Sequence, residues 1–297
     1  MADAATKAAT NPAQDPADPG FAFVRELAES LSKGPIELPG FPEVALRVQE
    51  VLSDDAVSSE TVVRLLGAEP MLAARVVNLA NSAAMFPSST PVVELRTAVA
   101  RVGFDSLRAA AVSFAMDQVR RRPQYAAIEA QLSQEWLESV TFASMGCVVA
   151  RRCRRMSPDT ALFAGLVAGV GRVYLLTRAN AHPELFADPG AYQAIVRDWH
   201  ANIARALLES WHVADEIIEA VQTYESRNAE LRSGPPLPDV LAAASFLVEH
   251  RDAPETLADV LPQACSLQRL GLNAAACTAL LGDSADEMAA LRAALGR

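Results

Sequence analysis

The chain contains few aromatic residues, almost no lysine and no long apolar run. Aromatic residues make up 6% of its 297 positions, and Lys7 and Lys33 are its only lysines. Hydrophobic residues still reach 51%, with Ala and Leu abundant, which favours packed helices over sheets. No run of about 18 apolar residues appears, and residues 1–20 have no apolar core, so we expect neither a membrane span nor a signal peptide.

Positive charge and paired cysteines are also scarce. The net charge of −10 makes the chain a poor general nucleic-acid binder, because neutralising phosphates needs a basic surface. Cys147, Cys153, Cys265 and Cys277 form no Cys-x-x-Cys pair. We therefore expect buried, reduced thiols in a cytoplasmic protein and no thiolate metal site. There is no Gly-x-Ser-x-Gly turn and no P-loop, so serine-based catalysis and P-loop nucleotide binding are not supported.

Apolar residues recur at helical spacing along the chain, and no segment shows sustained alternation, so we predict an all-α fold. Residues 1–20, rich in Ala, Pro, Asp and Asn, are predicted to be a disordered tail. Short helices are expected in a first lobe, 21–122, which ends at the RRRP stretch 120–123. A second lobe, 123–297, should contain longer helices at about 125–155, 158–180, 190–211 and 214–227.

Several helix boundaries can be predicted from end signals. Ser58 is a plausible N-cap, and Pro70 should lie at a helix start. A helix is expected over 92–102, followed by one that Asp105 caps.

Three stretches in the first half are distinctive: LPGFPEVALRVQEVL at 38–52, LLGAEPMLAARVVNLANSAAMF at 65–86 and LRTAVARVGFDSLR at 95–108. In this order they resemble the HDOD family, a bacterial signalling relative of the HD and HD-GYP hydrolases, over about 35–290. The resemblance implies one HDOD fold, in which a lobe of short helices packs on a lobe derived from an HD metal-hydrolase core. It also implies that catalysis is usually absent.

The metal-ligand positions of an HD hydrolase can be carried over residue by residue. The match places the first His at Glu138, the His-Asp pair at Ala168 and Gly169, the next His at His200, the paired His at Thr223 and Tyr224, and the late Asp at Ser245. Only His200 keeps its ligand type, and one imidazole with a Glu cannot hold a catalytic metal. We therefore predict no catalytic, cofactor or metal residues.

The helical stretch FAGLVAGVGRVY, 163–174, keeps the small residues of a metal-site helix without its ligand pair. We interpret Ala168, Gly169 and Gly171 as positions that let neighbouring helices come close. Ile203, Ala204 and other apolar residues share the helical face of His200, which predicts a buried, hydrogen-bonded histidine.

Two arginine clusters stand out in this acidic chain, and we predict that they flank a shared surface for an acidic partner or a nucleotide phosphate. The alternative is that they only place cations at helix ends. The clusters are Arg120, Arg121 and Arg122, and Arg151, Arg152, Arg154 and Arg155.

Three functions remain open from the sequence. The first is a non-catalytic signalling scaffold that binds protein partners, in a cyclic di-nucleotide or two-component pathway and with a nucleotide second messenger as a further candidate ligand. The second is a residual metal-dependent phosphohydrolase that uses Glu138, His200 and Glu225. The third, less favoured, is a nucleic-acid regulator that uses the arginine clusters.

Overall fold

The computed structural model describes residues 19–54, 56–86, 90–154, 156–226 and 236–296, and all regular structure within them is helical, as predicted. The α-helices are α1 Pro19–Ser32, α2 Glu43–Leu52, α3 Ser59–Gly67, α4 Pro70–Ala80, α5 Leu95–Arg101, α6 Phe104–Arg120, α7 Glu129–Cys153, α8 Pro158–Ala168, α9 Val170–Ala179, α10 Pro189–Ser210, α11 Asp215–Thr223, α12 Leu237–Glu249, α13 Leu257–Val260, α14 Cys265–Arg269, α15 Ala274–Asp283 and α16 Ala285–Ala294. The tail prediction falls on residues 1–18, which lie outside the described ranges, and on the start of α1 at Pro19, where it is wrong.

The helix ends agree in part with the sequence signals. The Ser58 side chain accepts a hydrogen bond from the Thr61 backbone N–H at 3.2 Å, and Pro70 is the first residue of α4. The cap predicted at Asp105 is wrong, because α6 begins at Phe104. The Asp105 carboxylate instead accepts a hydrogen bond from Thr160 at 2.6 Å and so ties α6 to α8.

The start of α5 is set by an asparagine rather than by the apolar pattern. The side chain of Asn81 accepts from the backbone N–H of Val92 and donates to its carbonyl, both at 2.7 Å. This pairing fixes Val92 outside the helix, so α5 begins at Leu95 and not at residue 92.

Two predicted long helices are interrupted. The segment predicted over 125–155 begins with the 3₁₀ turn Pro123–Ile128, because Pro123 holds Arg122 in an extended conformation. The segment predicted over 158–180 is two helices, α8 and α9, which meet at Gly169.

The buried apolar residues form two clusters. The smaller core is built from α2 to α6 and includes Leu66, Leu72 and Leu107. The larger core gathers α7 to α12, and α7 and α8 approach so closely that a Cβ added at Gly165 would lie 2.6 Å from Ala143 Cα. Small residues at this contact are therefore required by packing.

Both ends of the chain cross the predicted lobe boundary at residue 122. Phe23 of α1 belongs to the larger core, on the far side of that boundary. In return, the last helix, α16, reaches the smaller core, where the Leu295 carbonyl accepts hydrogen bonds from Arg75 at 3.1 Å and from Ser113. Helices α1 and α16 therefore connect the two apolar clusters.

One helical stretch, Pro158–Ala179, is long and apolar enough to cross a membrane by length and composition. Inside the protein, however, 83% of its most apolar 18-residue window is buried. Its apolar character is thus already accounted for by the larger core.

Candidate functional site

Most of the residues at the positions of the lost metal ligands meet in one place. Glu138, Ala168, Gly169, Tyr224 and Ser245 line a cleft of about 610 Å³, which we call the relict cleft. It opens between α7, the α8–α9 junction, the end of α11 and α12. The sequence-based assignment of these positions to one site therefore agrees with the geometry.

A neighbouring cleft of about 640 Å³ contains His200. The two clefts share Glu138, Arg172 and Glu225 among their lining residues. Thr223 lines neither cleft, and its hydroxyl donates to the Glu219 carbonyl at 2.7 Å.

The close packing predicted for the small residues is confirmed. Ala168 is 3% exposed, and a Cβ added at Gly169 would lie less than 3.0 Å from Ser139 Oγ of α7. A Cβ at Gly171 would overlap the His200 carbonyl and lie 3.0 Å from Ala204 N of α10. A side chain at Gly171 would force α9 away from α10, whereas one at Gly169 would have to displace the Ser139 hydroxyl.

A hydrogen-bonded network occupies the boundary between the clefts, with the Glu225 carboxylate at its centre. One carboxylate oxygen accepts from Arg172 at 2.7 Å and from the Tyr224 hydroxyl at 2.8 Å. The other oxygen accepts from His200 Nε2 at 3.1 Å. His200 is only 3% exposed, so the prediction of a buried, hydrogen-bonded histidine is confirmed.

The network shifts the acidity of the carboxyl groups around it. Burial alone would raise the pKa of Glu225, but the hydrogen bond and charge of His200, the Tyr224 hydroxyl and the Arg172 charge together lower it to about 2. Burial raises the pKa of Glu135, against the lowering effect of Arg172. Glu225 is therefore an anion in its network. Glu135, which lines the same two clefts, takes up a proton more readily than Glu225.

The low pKa of Glu225 predicts acid sensitivity. A carboxyl group whose pKa is depressed in the folded state stabilises the protein fully above its ordinary pKa of 4.5, and this contribution is lost as the pH falls towards about 2. Between about pH 5 and pH 3, we expect the melting temperature of Glu225→Gln to fall less than that of the unaltered protein. Thermal unfolding at each pH measures this, with Glu209→Gln, which removes an exposed i,i+4 pair with Arg205, as the matched control. Equal acid sensitivity in Glu225→Gln and the unaltered protein would contradict the assignment.

The cleft residues do not fit a catalytic metal ion. Ala168 and Gly169 offer no donor, and the Ser245 hydroxyl is bonded to Glu249 at 3.1 Å. Within the described residues, no group of three or more His, Cys, Asp or Glu side chains could hold a metal ion. Glu225 is already bonded to the cation Arg172, so no chemical step through a metal follows from this arrangement.

The arginine clusters are only partly exposed. Arg120 is bonded to Asp117, Arg151 is bonded to Glu287, and Arg122 packs against Gly40. The remaining described members are exposed at helix ends: Arg121, Arg152 and Arg154. Arg155 lies outside the described residues.

The two clusters lie at opposite ends of α7. Arg120 donates to Ser133 near the start of α7, whereas Arg151 lies in the last turn of that helix. At 1.5 Å per residue, Ser133 and Arg151 are about 27 Å apart along the axis. One nucleotide phosphate could not reach both clusters across this distance, and the surface that they would share with an acidic protein stays a prediction.

Sequence reasoning missed the central role of Arg172 and Glu225. From the sequence, Arg172 is only a helix residue of FAGLVAGVGRVY, and Glu225 is only a candidate metal ligand. Their pairing joins residues 53 positions apart, so no local spacing indicates it. The available signal was an arginine on the helix that lost the ligand pair.

The fold and the sequence can be compared with those of known proteins. A solved structure from Shewanella amazonensis SB2B, described as a candidate metal-dependent phosphohydrolase, is 26% identical, with a TM-score of 0.74, over 93% of this chain and 99% of that one. An HDOD domain protein of unknown function from Geobacter sulfurreducens is 23% identical, with a TM-score of 0.62, over 93% of this chain and 99% of that one. A candidate signal transduction protein from Marinobacter aquaeolei VT8 is 20% identical, with a TM-score of 0.60, over 94% of this chain and 67% of that one.

A comparison with curated proteins finds no match. The sequence profile of the HDOD domain matches residues 38–226, which contain the three distinctive stretches of the first half and the relict positions up to Tyr224. With the helical frame and the converging relict positions, this match establishes that the chain belongs to the HDOD domain family.

Proposed function

We propose that this chain is a non-catalytic regulatory protein that acts in signal transduction by binding protein partners. The observation that carries the proposal is the relict cleft, where positions that bind metal in an HD hydrolase meet but carry Ala168, Gly169, Tyr224 and Ser245. An HD hydrolase needs several imidazoles and carboxylates around its metal to generate a hydroxide nucleophile. A frame that keeps its packing without these donors supports binding rather than hydrolysis.

The second candidate is a residual metal-dependent phosphohydrolase, which the Shewanella relative favours by its description. Its ligands would be Glu138, His200 and Glu225, and all three line one cleft. A metal ion at Glu225 would, however, have to displace the guanidinium of Arg172 and the hydrogen bond from His200. This cost makes hydrolysis the weaker proposal.

The charges around the relict cleft argue against a phosphate ligand there. Five carboxylates line it against two guanidinium groups, namely Glu135, Glu138, Glu225, Glu249 and Asp252 against Arg172 and Arg251. A nucleotide second messenger would meet net negative charge at this place. An acidic partner or a nucleotide phosphate is better placed at the end of α7, where Arg152 and Arg154 line a separate cleft of about 340 Å³.

Partner capture from the native bacterium tests the proposed surface. The partner to follow is one that also binds the purified protein directly. We expect Arg154→Glu to weaken its capture, because the reversed charge repels an acidic surface. Arg25→Glu, at a 66% exposed site on α1, is the matched control and should capture as the unaltered protein does. The difference should shrink at high salt, where exposed charges are screened. If Arg154→Glu binds the same partner equally well at low salt, the surface lies elsewhere.

A further inference from the structure

The network around Glu225 joins three helices next to the relict cleft. Its donors are Arg172 of α9, His200 of α10 and Tyr224 at the end of α11. The Tyr224 ring also packs against Phe142 of α7, with ring centroids 5.2 Å apart. Three helices thus meet at one carboxylate, and a fourth packs against the tyrosine that donates to it.

We propose that Arg172 is the built-in cation of this lobe, whose guanidinium does for Glu225 and the surrounding helices what a bound metal ion does in an HD hydrolase. A metal ion in such a site neutralises converging acidic ligands and cross-links the helices that carry them. Arg172 meets the first requirement through its 2.7 Å ion pair with Glu225. It meets the second because this pair joins α9 to the end of α11.

The geometry favours this arrangement over a site that awaits a metal ion. Arg172 lines both clefts, and its guanidinium already occupies a Glu225 carboxylate oxygen that a metal ion would need. The Arg172 and Glu225 side chains are 34% and 40% exposed, so water screens the pair only in part. The inference goes beyond the proposed function, because a protein without catalysis could also keep a structural metal ion.

A thermal-unfolding cycle tests the inference. We expect Arg172→Met to lower the melting temperature by about 3–6 °C, because Glu225 is left uncompensated. Arg172→Lys keeps the charge and should lose less. In a Glu225→Gln background, Arg172→Met should lower the melting temperature by less than half as much. The matched control is Arg197→Met. Arg197 lines the cleft that contains His200, but its side chain is 74% exposed and pairs with Asp198 at the surface.

Metal ions provide the second readout. The melting temperature of the unaltered protein should not change with EDTA or with excess Mn²⁺ or Zn²⁺. The inference is overturned if a metal ion stabilises the unaltered protein saturably, or if Arg172→Met costs no more than Arg197→Met or costs the same with and without Glu225. Saturable metal binding with turnover would also overturn the proposed function, whereas a failed cycle alone would leave that function standing.

Discussion

Gly171→Ala is expected to lose about 3 kcal/mol of stability and to melt about 6–10 °C lower than the unaltered protein. The added Cβ would overlap the His200 carbonyl and lie 2.9 Å from its carbonyl carbon. These are backbone atoms, so no side-chain rotation relieves the overlap and α9 must move away from α10. The gain of about 1 kcal/mol from replacing a helical glycine by alanine offsets only part of this loss.

Gly282→Ala is the matched control for this prediction. Gly282 lies in α15, and a Cβ added there meets nothing within 4 Å. This variant should unfold at or slightly above the temperature of the unaltered protein. Thermal or urea unfolding of both variants measures the difference. Similar stabilities for the two would show that the contact between α9 and α10 accommodates an added Cβ.

Restoring the lost ligand pair, as Ala168→His with Gly169→Asp, is expected to cost about 2–4 kcal/mol and to restore no activity. Ala168 is 3% exposed, and a side chain at position 169 collides with Ser139 Oγ. The variant would still lack ligands at Tyr224 and Ser245. Unfolding and a phosphodiesterase assay with added Mn²⁺ measure the two outcomes.

The collision at Ser139 gives this prediction an internal control. Without its Oγ, the nearest atom to the new Cβ would be Ser139 Cβ at 3.2 Å, so Ser139→Ala should recover part of the lost stability. Turnover should stay at the blank rate with and without Ser139→Ala, because this substitution supplies no ligand. If the variant with Ala168→His and Gly169→Asp melts like the unaltered protein, the helix face at these positions has room for larger side chains. If it shows metal-dependent turnover, the remaining ligands suffice for catalysis.

The sequence predicts the frame well because the frame depends on local patterns. Helical spacing and end signals such as Ser58 and Pro70 act within one or two turns, and the structure confirms them. The small residues Gly169 and Gly171 also lie at close helix contacts, as expected. Burial of His200 followed from the apolar face of its own helix.

The parts that failed depend on approaches between distant segments. The sequence does not indicate that Asp105 bonds Thr160 instead of capping α6, because the two residues are 55 positions apart. The separation of the two arginine clusters, by contrast, follows from the length of α7, which places Arg120 and Arg151 at opposite ends. The Arg172–Glu225 pair again depends on the approach of α9 to the end of α11, which no local pattern indicates.

Metal content and turnover of the purified, unaltered protein test the central claim, that an HD frame is kept here without metal chemistry. Elemental analysis should find Mn, Fe and Zn well below one ion per chain. Assays with cyclic di-nucleotides and phosphomonoesters, with Mn²⁺ or Mg²⁺ added, should stay at the rate of a protein-free blank. Stoichiometric metal together with metal-dependent turnover would contradict the claim and identify the chain as a phosphohydrolase.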